Sequence, residues 1–233
     1  MKGSSPAPRR FDAYAFEMIL VVALITLHDF LLSDALSLPL ALQRSTLAQL
    51  RALDRVVSGA EFLVPIAFVM IMLFLWFVDR NEWVNRLAVV FLAWVTLRLI
   101  AKVALILFSI VARPLKQGSG ILTDSIVLWF AIFLLFGIWY WLVDGGGPRA
   151  RRAGTVLRFD FVFPQNAGSY PGWSEWKPGF LDYVFLGFCG STQFGLGDAL
   201  VLSLRAKFLS MLQATLSIAV IVFIASIAIG IIH

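Results

Sequence analysis

The chain has 233 residues, of which 60% are hydrophobic and only 14% are charged. Its mean hydropathy of +0.88 is typical of an integral membrane protein and excludes an ordinary soluble domain. A single cysteine, Cys189, excludes an intrachain disulfide and a cysteine-based metal cluster. The net charge of +5 suits basic residues beside anionic headgroups, so we expect a lipid bilayer as partner and no nucleic acid.

Apolar runs along the chain predict an all-α membrane protein with about five transmembrane helices. A basic start at residues 1–12 precedes the first of these helices, and an amphipathic surface helix is expected within residues 43–60. Residues 1–120 are expected to form an N-terminal three-helix region. The five spans are predicted around 18–27 and at 61–78, 84–112, 121–143 and 205–232.

Ionisable residues within the predicted spans are costly in hydrocarbon unless they find partners. We therefore expect Asp29, Arg98, Lys102 and Asp124 to form a buried charge network. A voltage sensor is the alternative for the two cations, but sensors carry a charge at every third residue and these two are four apart.

Residues 144–177 form the one long polar segment of the chain. Its three glycines at 145–147 predict a flexible linker. The cluster Trp139-Tyr140-Trp141, which precedes the segment, is predicted to lie at the membrane interface. Residues 159–164, with Trp173 and Trp176, are too aromatic for a disordered tail, and we expect them to pack as a cap over a pore mouth.

The most informative stretch begins at Pro178. The apolar segment 180–190 is too short to cross a hydrocarbon core of about 30 Å, so we expect it to enter the membrane and return. Non-helical backbone at that depth survives only when it is buried in protein or lines a wet path. Glycine at 195 and 197 lets successive carbonyl oxygens turn the same way, and such a column replaces the water shell of a cation. The sequence thus predicts a re-entrant pore helix and a filter-like loop before the last span.

Residues 192–198, T-Q-F-G-L-G-D, resemble the potassium-channel filter signature T-T-V-G-Y-G-D. Leu196 stands in place of the tyrosine, as in the second filter of some two-pore-domain channels. Gln193 stands in place of a threonine whose hydroxyl helps to form the innermost ion site. The signature is matched at Thr192, Gly195, Gly197 and Asp198.

The text from Phe159-Asp160-Phe161 to Arg205 also resembles a family of bacterial membrane proteins of unknown function, whose C-terminal half is similar to a degenerate channel pore. The resemblances imply a channel-like domain at 121–233: an outer helix at 121–143, an aromatic loop at 144–178, a pore helix and filter at 179–198, and an inner helix at 205–232. They also imply a homotetramer in the bacterial inner membrane, with potassium or another monovalent cation as the permeant ion, no other metal and no cofactor. The implied ion-binding residues are Thr192, Gln193, Phe194, Gly195, Leu196 and Gly197, supported by Asp198.

Small residues follow one another along the last span. Ser210, Ala214 and Ser217 either line a cavity or pack against another helix, and the sequence leaves both open.

The orientation of the chain in the membrane is open as well. A loop that enters from outside, as in potassium channels, leaves more basic residues outside than inside, against the positive-inside rule. A loop that opens toward the cytoplasm is the alternative.

Three functions follow from these patterns. The first is the pore-forming subunit of a homotetrameric cation channel, with potassium favoured. The second is a non-conducting membrane scaffold or partner subunit, which Gln193 and Phe194 keep open. The third is a transporter that uses the charged residues of the spans, although inverted repeats are not evident. An enzyme is not expected, because His28 and His233 are distant and no nucleophile or metal motif is found.

Overall fold

The computed structural model describes residues 19, 23, 48–78, 80–112, 118–168, 170–192 and 199–232. Helices dominate this part of the chain, and three stretches are long and apolar enough to cross a membrane. The chain is therefore an all-α membrane protein. The predicted first span lies almost wholly outside the described residues, so the expected count of about five stays a prediction. The three candidate spans are Arg86–Ala104, Ser125–Gly146 and Leu204–Ile229.

We number the described helices and strands in chain order, and a 3-10 turn at Asp144–Gly146 follows the third helix. The helices are α1 (Ala48–Phe77), α2 (Asn81–Ala112), α3 (Gly118–Val143), α4 (Pro148–Ala153), α5 (Pro164–Ala167), α6 (Phe180–Thr192) and α7 (Leu204–Ile232), and the strands are β1 (Phe161–Val162) and β2 (Leu200–Val201).

The described residues up to Phe91 belong to one compact unit. Its α1 is a continuous helix of 30 residues, so the predicted surface helix and the predicted second span form a single element. The apolar stretch Leu63–Phe77 of α1 is shorter than the roughly 20 residues that a span needs. Phe68 packs against Phe91 with their ring centroids 5.3 Å apart.

The described residues from Leu92 onward form a second unit, in which α3, α6 and α7 pack against one another. The backbones of α3 and α6 touch where two glycines meet. A Cβ atom added to Gly187 would lie 2.5 Å from the carbonyl oxygen of Phe133, and one added to Gly137 would lie 2.9 Å from the Cα of Val184. Small residues allow this approach, which tight helix packing in a membrane requires. The expected division at residue 120 stays a prediction.

Aromatic side chains fill the space beside this crossing. The Trp129 ring lies 5.6 Å from Phe133 and 6.0 Å from Phe188, centroid to centroid, and the last two rings lie 5.6 Å apart. All three pairs meet edge to face, the arrangement that aromatic quadrupoles favour. The contacts fix the rotation of α6 against α3.

The aromatic cluster near the end of α3 turns inward. Tyr140 and Trp141 are only 2% and 5% exposed, and the indole N–H of Trp139 donates to the Thr96 hydroxyl of α2 at 2.9 Å. Tyr140 and Trp141 therefore face protein rather than lipid headgroups, and the interfacial depth of the cluster stays a prediction. The Tyr140 hydroxyl donates to the buried Gln213 amide, which accounts for its inward position.

The segment between α3 and α6 is ordered by its own packing. β1 pairs antiparallel with β2, with Phe161 opposite Val201. Phe161 and Phe163 are buried, which agrees with the prediction that this aromatic stretch packs. The predicted flexible linker at 145–147 is instead a tight turn, whose three glycines have φ values of 60°, 81° and 95°. Other residues rarely adopt these angles, which explains the glycines.

The helix crossing at Gly187 yields a stability prediction. In a Gly187→Ala variant, the new methyl group displaces α6 from the Phe133 carbonyl, and we expect the free energy of unfolding to fall by about 1–3 kcal/mol. Thermal unfolding in detergent measures this. Gly179→Ala is the matched control, because its Cβ would lie 3.5 Å from the Asp182 carboxylate, an ordinary contact. Equal stability of the two variants would contradict the proposed close crossing.

Candidate functional site

The predicted filter residues Gln193, Phe194, Gly195, Leu196 and Gly197, with Asp198, lie outside the described residues. The structure describes both flanks of this segment, which are the last turn of α6 before it and β2 after it. The candidate site is therefore built from the residues that hold these two flanks.

Three side chains from other helices hold the last turn of α6 at Ser191. The Trp129 indole N–H of α3 donates to the Ser191 carbonyl oxygen at 3.3 Å. From α7, the Gln213 amide donates to the Ser191 hydroxyl at 2.7 Å, and the Ser217 hydroxyl donates to the same oxygen at 3.0 Å. Ser191, Gln213 and Ser217 are each 0% exposed. The buried polar groups of these three residues are therefore hydrogen-bonded to other protein groups.

Gln213 lies at the centre of this network. Its amide N–H groups also donate to the Gly187 carbonyl oxygen, and its own carbonyl oxygen accepts the hydroxyl of Tyr140 in α3. A Cβ added to Gly190 would lie 3.0 Å from the Gln213 Oε1. The glutamine therefore packs closely against Gly190, where a larger residue would crowd it, and it joins α3, α6 and α7.

Thr192, the first residue of the predicted filter, is also the last residue of α6. Its side chain is half-buried, and its hydroxyl donates to the Cys189 carbonyl oxygen at 3.2 Å. This bond turns the side chain back along α6 and satisfies one of the carbonyl groups that a helix end leaves unpaired. Its role as an ion ligand stays a prediction.

The other flank is held through Asp160. The Leu202 N–H donates to the Asp160 carbonyl oxygen at 2.9 Å, next to the β1–β2 pair. The Arg205 guanidinium at the start of α7 binds the Asp160 carboxylate with two bonds of 2.7 and 2.6 Å. Such bidentate pairs are among the strongest protein hydrogen bonds. Arg205 also donates to the Val143 carbonyl oxygen at 3.2 Å, which ties α7 to the end of α3.

A second carboxylate, Asp144, links the end of α3 to α6. It accepts the N–H groups of Asp160 and Phe161 at 2.7 and 3.1 Å and the hydroxyl of Tyr183 at 2.6 Å. Asp144 is 0% exposed, so these three donors replace its hydration. The Arg151 guanidinium lies 5.0 Å from the centroid of the Tyr183 ring and donates to the Asp144 carbonyl oxygen.

The charge on Asp160 is stabilised by its neighbours. Burial raises the pKa of the Asp160 carboxyl, but hydrogen bonds from Arg205 and Ser203, the positive charge of Arg205 and the Gly145 N–H together hold that pKa below its ordinary value. The carboxylate is therefore ionised at neutral pH, and this ionised form is the one that binds Arg205.

The residues predicted to face a cavity have different surroundings. Ser217 is buried against Ser191, whereas Ser210 is half-buried and donates to the Ala206 carbonyl oxygen within α7. Ala214 is half-buried. Within one chain, Ser217 therefore belongs to the α6–α7 contact. Pore lining by Ser210 and Ala214 stays a prediction.

The predicted charge network is described only in part. Arg98 lies over the Trp94 ring of its own helix, 4.7 Å from the ring centroid, and Lys102 is half-buried one turn later. Asp29 lies outside the described residues, and so does the side chain of Asp124. Their pairing with the two cations stays a prediction. Among the described residues, no group of three His, Cys, Asp or Glu side chains is placed to hold a metal ion.

Sequence reasoning missed the residues that hold both flanks. The sequence could have identified Gln213, because an amide within an apolar span needs a buried partner. Asp144 and Asp160 were assigned to a polar segment, where carboxylates are usually solvated. The residues whose roles in holding the flanks only the structure shows are Trp129, Tyr140, Asp144, Asp160, Tyr183, Ser191, Arg205 and Gln213.

Comparison with protein-family models, curated proteins and solved structures finds no match to the chain. The function proposed below therefore rests on the residues and contacts of this chain.

The lowered pKa of Asp160 yields a pH prediction. Its stabilising contribution is complete above the ordinary aspartate pKa of about 3.9 and is lost as the pH falls through the lower folded-state value. Thermal unfolding in detergent should therefore show wild-type stability falling below pH ~4. Asp160→Asn should lower the free energy of unfolding by about 1–3 kcal/mol at pH 7 and flatten this acid dependence. Glu175→Gln, at an exposed carboxylate of the same segment, should keep the wild-type profile. A wild-type profile in Asp160→Asn would contradict the prediction.

Proposed function

We propose that this chain is the pore-forming subunit of a homotetrameric cation channel, with potassium as the favoured ion. One observation carries the proposal. The half-length helix α6 packs against both α3 and α7, and its last turn, held by buried side chains, leads directly into the filter-like sequence 193–198.

The length of α6 supports a re-entrant position. Its 13 residues extend about 20 Å at 1.5 Å per residue, less than a hydrocarbon core of about 30 Å. The neighbouring α3 and α7 have 26 and 29 residues, enough to span. A short helix between two spanning ones carries the chain to membrane depth and ends there. Its C-terminal end has a partial negative charge, which favours a nearby cation.

The anchored flanks support a functional loop. α7 and α3 hold the residue before Thr192 through Gln213 and Trp129, and the β1–β2 pair holds the chain after Ala199. Short segments fixed at both ends suit ion coordination, because carbonyl oxygens select ions by their number and placement. The Gly195 and Gly197 positions supply the backbone freedom for such a column.

One chain supplies one such loop. A ring of carbonyl oxygens around a central ion therefore needs several copies about a symmetry axis, and the resemblance to potassium channels implies four. The proposed partner of the chain is thus itself, within a lipid bilayer.

Conductance of the purified protein in planar bilayers under a potassium gradient tests the proposal. We expect a potassium-selective current, reduced about tenfold or more in Gly195→Ala and in Gly197→Ala, because left-handed backbone costs other residues about 1–2 kcal/mol. Gly179→Ala, in the same region but before α6, should conduct like the wild type. Absence of current, or a current insensitive to both loop changes, would contradict the channel and favour a non-conducting membrane protein.

Gln193 yields a second test of the loop. If its side chain borders the ion path, Gln193→Thr restores the hydroxyl of the potassium-channel signature. We expect the ratio of potassium to sodium permeability to rise by roughly tenfold, the factor that corresponds to about 1.4 kcal/mol. Reversal potentials in mixed potassium and sodium solutions measure this ratio. An unchanged ratio would remove Gln193 from the ion path.

A further inference from the structure

Gln213 is an amide in the first half of α7, a helix that is long and apolar enough to span a membrane. It is 0% exposed, and the groups that it contacts are also buried: Tyr140 is 2% exposed and Ser191 is 0% exposed. Burial of an amide without partners is unfavourable. The position of Gln213 therefore depends on the bonds that it makes.

These bonds use the donors and the acceptor of the amide. The nitrogen donates to the Gly187 carbonyl oxygen and the Ser191 hydroxyl, and the oxygen accepts the Tyr140 hydroxyl. Gly187 and Ser191 are four residues apart, so they lie one above the other on the same face of α6. The Gln213 side chain of α7 therefore bonds to two residues of one turn of α6. A hydrogen bond from Tyr140 of α3 fixes the side chain itself.

This turn of α6 is the one that precedes segment 193–198. A helix end has carbonyl groups without partners inside the helix and frays unless other groups hold it. Functional groups need placement within about 0.5 Å, and their supporting contacts supply it. The last described turn before the segment is therefore held through Ser191 and Gln213.

We propose that Gln213 is a positioning residue that fixes the last turn of α6 and thereby sets the ion selectivity of the segment that follows. The inference rests on the proposed channel function. Gln213 itself does not touch the permeating ion. It acts through Ser191 and Gly187, and loosening of this turn widens the range of ion sizes that the carbonyl oxygens accept.

The test variant is Gln213→Met combined with Tyr140→Phe. Methionine fills most of the glutamine volume, and phenylalanine removes the hydroxyl that would otherwise lose its acceptor. The Ser191 hydroxyl keeps its bond to Ser217. The matched control is Thr215→Val, two residues further along α7, where an exposed hydroxyl bonds only back to the Met211 carbonyl oxygen.

Two measurements are made on wild type, test variant and control. The first is hydrogen–deuterium exchange of peptides covering residues 187–198, in detergent. The second is the ratio of potassium to sodium permeability in planar bilayers, from reversal potentials. In the test variant we expect exchange to be faster in these peptides, and the permeability ratio to move toward one by about threefold or more. Exchange of peptides from α2 should stay as in the wild type. The control should match the wild type in both measurements.

The outcomes separate the two proposals. A selective wild-type current with an unchanged ratio in the test variant overturns the role of Gln213 and leaves the channel in place. If hydrogen–deuterium exchange of peptides covering residues 187–198 is the same in the test variant as in the wild type, this result alone overturns the positioning role. A wild-type protein without current overturns the channel and, with it, the role in selectivity. Faster exchange throughout the protein would show general unfolding and would also overturn a local role.

Discussion

Satisfaction of polar groups at both ends of a half-length helix is the constraint on which the second unit depends. A span can leave its ends in water, whereas a helix that ends within the protein must find partners for them. Near its start, the Tyr183 hydroxyl of α6 binds the buried Asp144 carboxylate. At its end, Ser191 is bound by Trp129, Gln213 and Ser217. Both sets of partners come from distant parts of the chain, and α6 has a defined position for this reason.

The same constraint orders the segment outside the spans. Asp144 directly follows α3, and its carboxylate accepts the backbone N–H groups of Asp160 and Phe161, while the Asp160 carboxylate binds Arg205 at the start of α7. Two carboxylates therefore connect the ends of α3 and α7 to the short sheet. This arrangement holds Leu202, on the C-terminal side of segment 193–198, and the Gln213 network holds Ser191 on its N-terminal side. Polar contacts of two kinds, one beside the spans and one among them, thus hold the described flanks of this segment.

Close backbone contact and buried hydrogen bonds have complementary effects at α6. The approach at Gly137 and Gly187 gives the large contact area that helices in lipid use in place of a hydrophobic driving force. Such contact resists separation of the helices. The bonds of Gln213 to two residues of one α6 turn fix the register. A channel needs this second property, because its selectivity depends on where individual oxygen atoms lie.

The sequence by itself determined the helical character and the apolar length of α2, α3, α6 and α7. Apolar length sets these limits: the helices predicted at 121–143 and 205–232 agree with α3 and α7 within a few residues, and the short apolar segment 180–190 agrees with α6. Local pattern was insufficient at α1, where two predicted elements form one helix, and at Tyr140, which turns inward. Only the tertiary structure decided the continuity of α1, the inward position of Tyr140 and the roles of Asp144 and Gln213. The physical reason is that a hydrogen bond depends on spatial neighbours, and the Tyr140–Gln213 bond joins residues 73 positions apart, a pairing that no local pattern encodes.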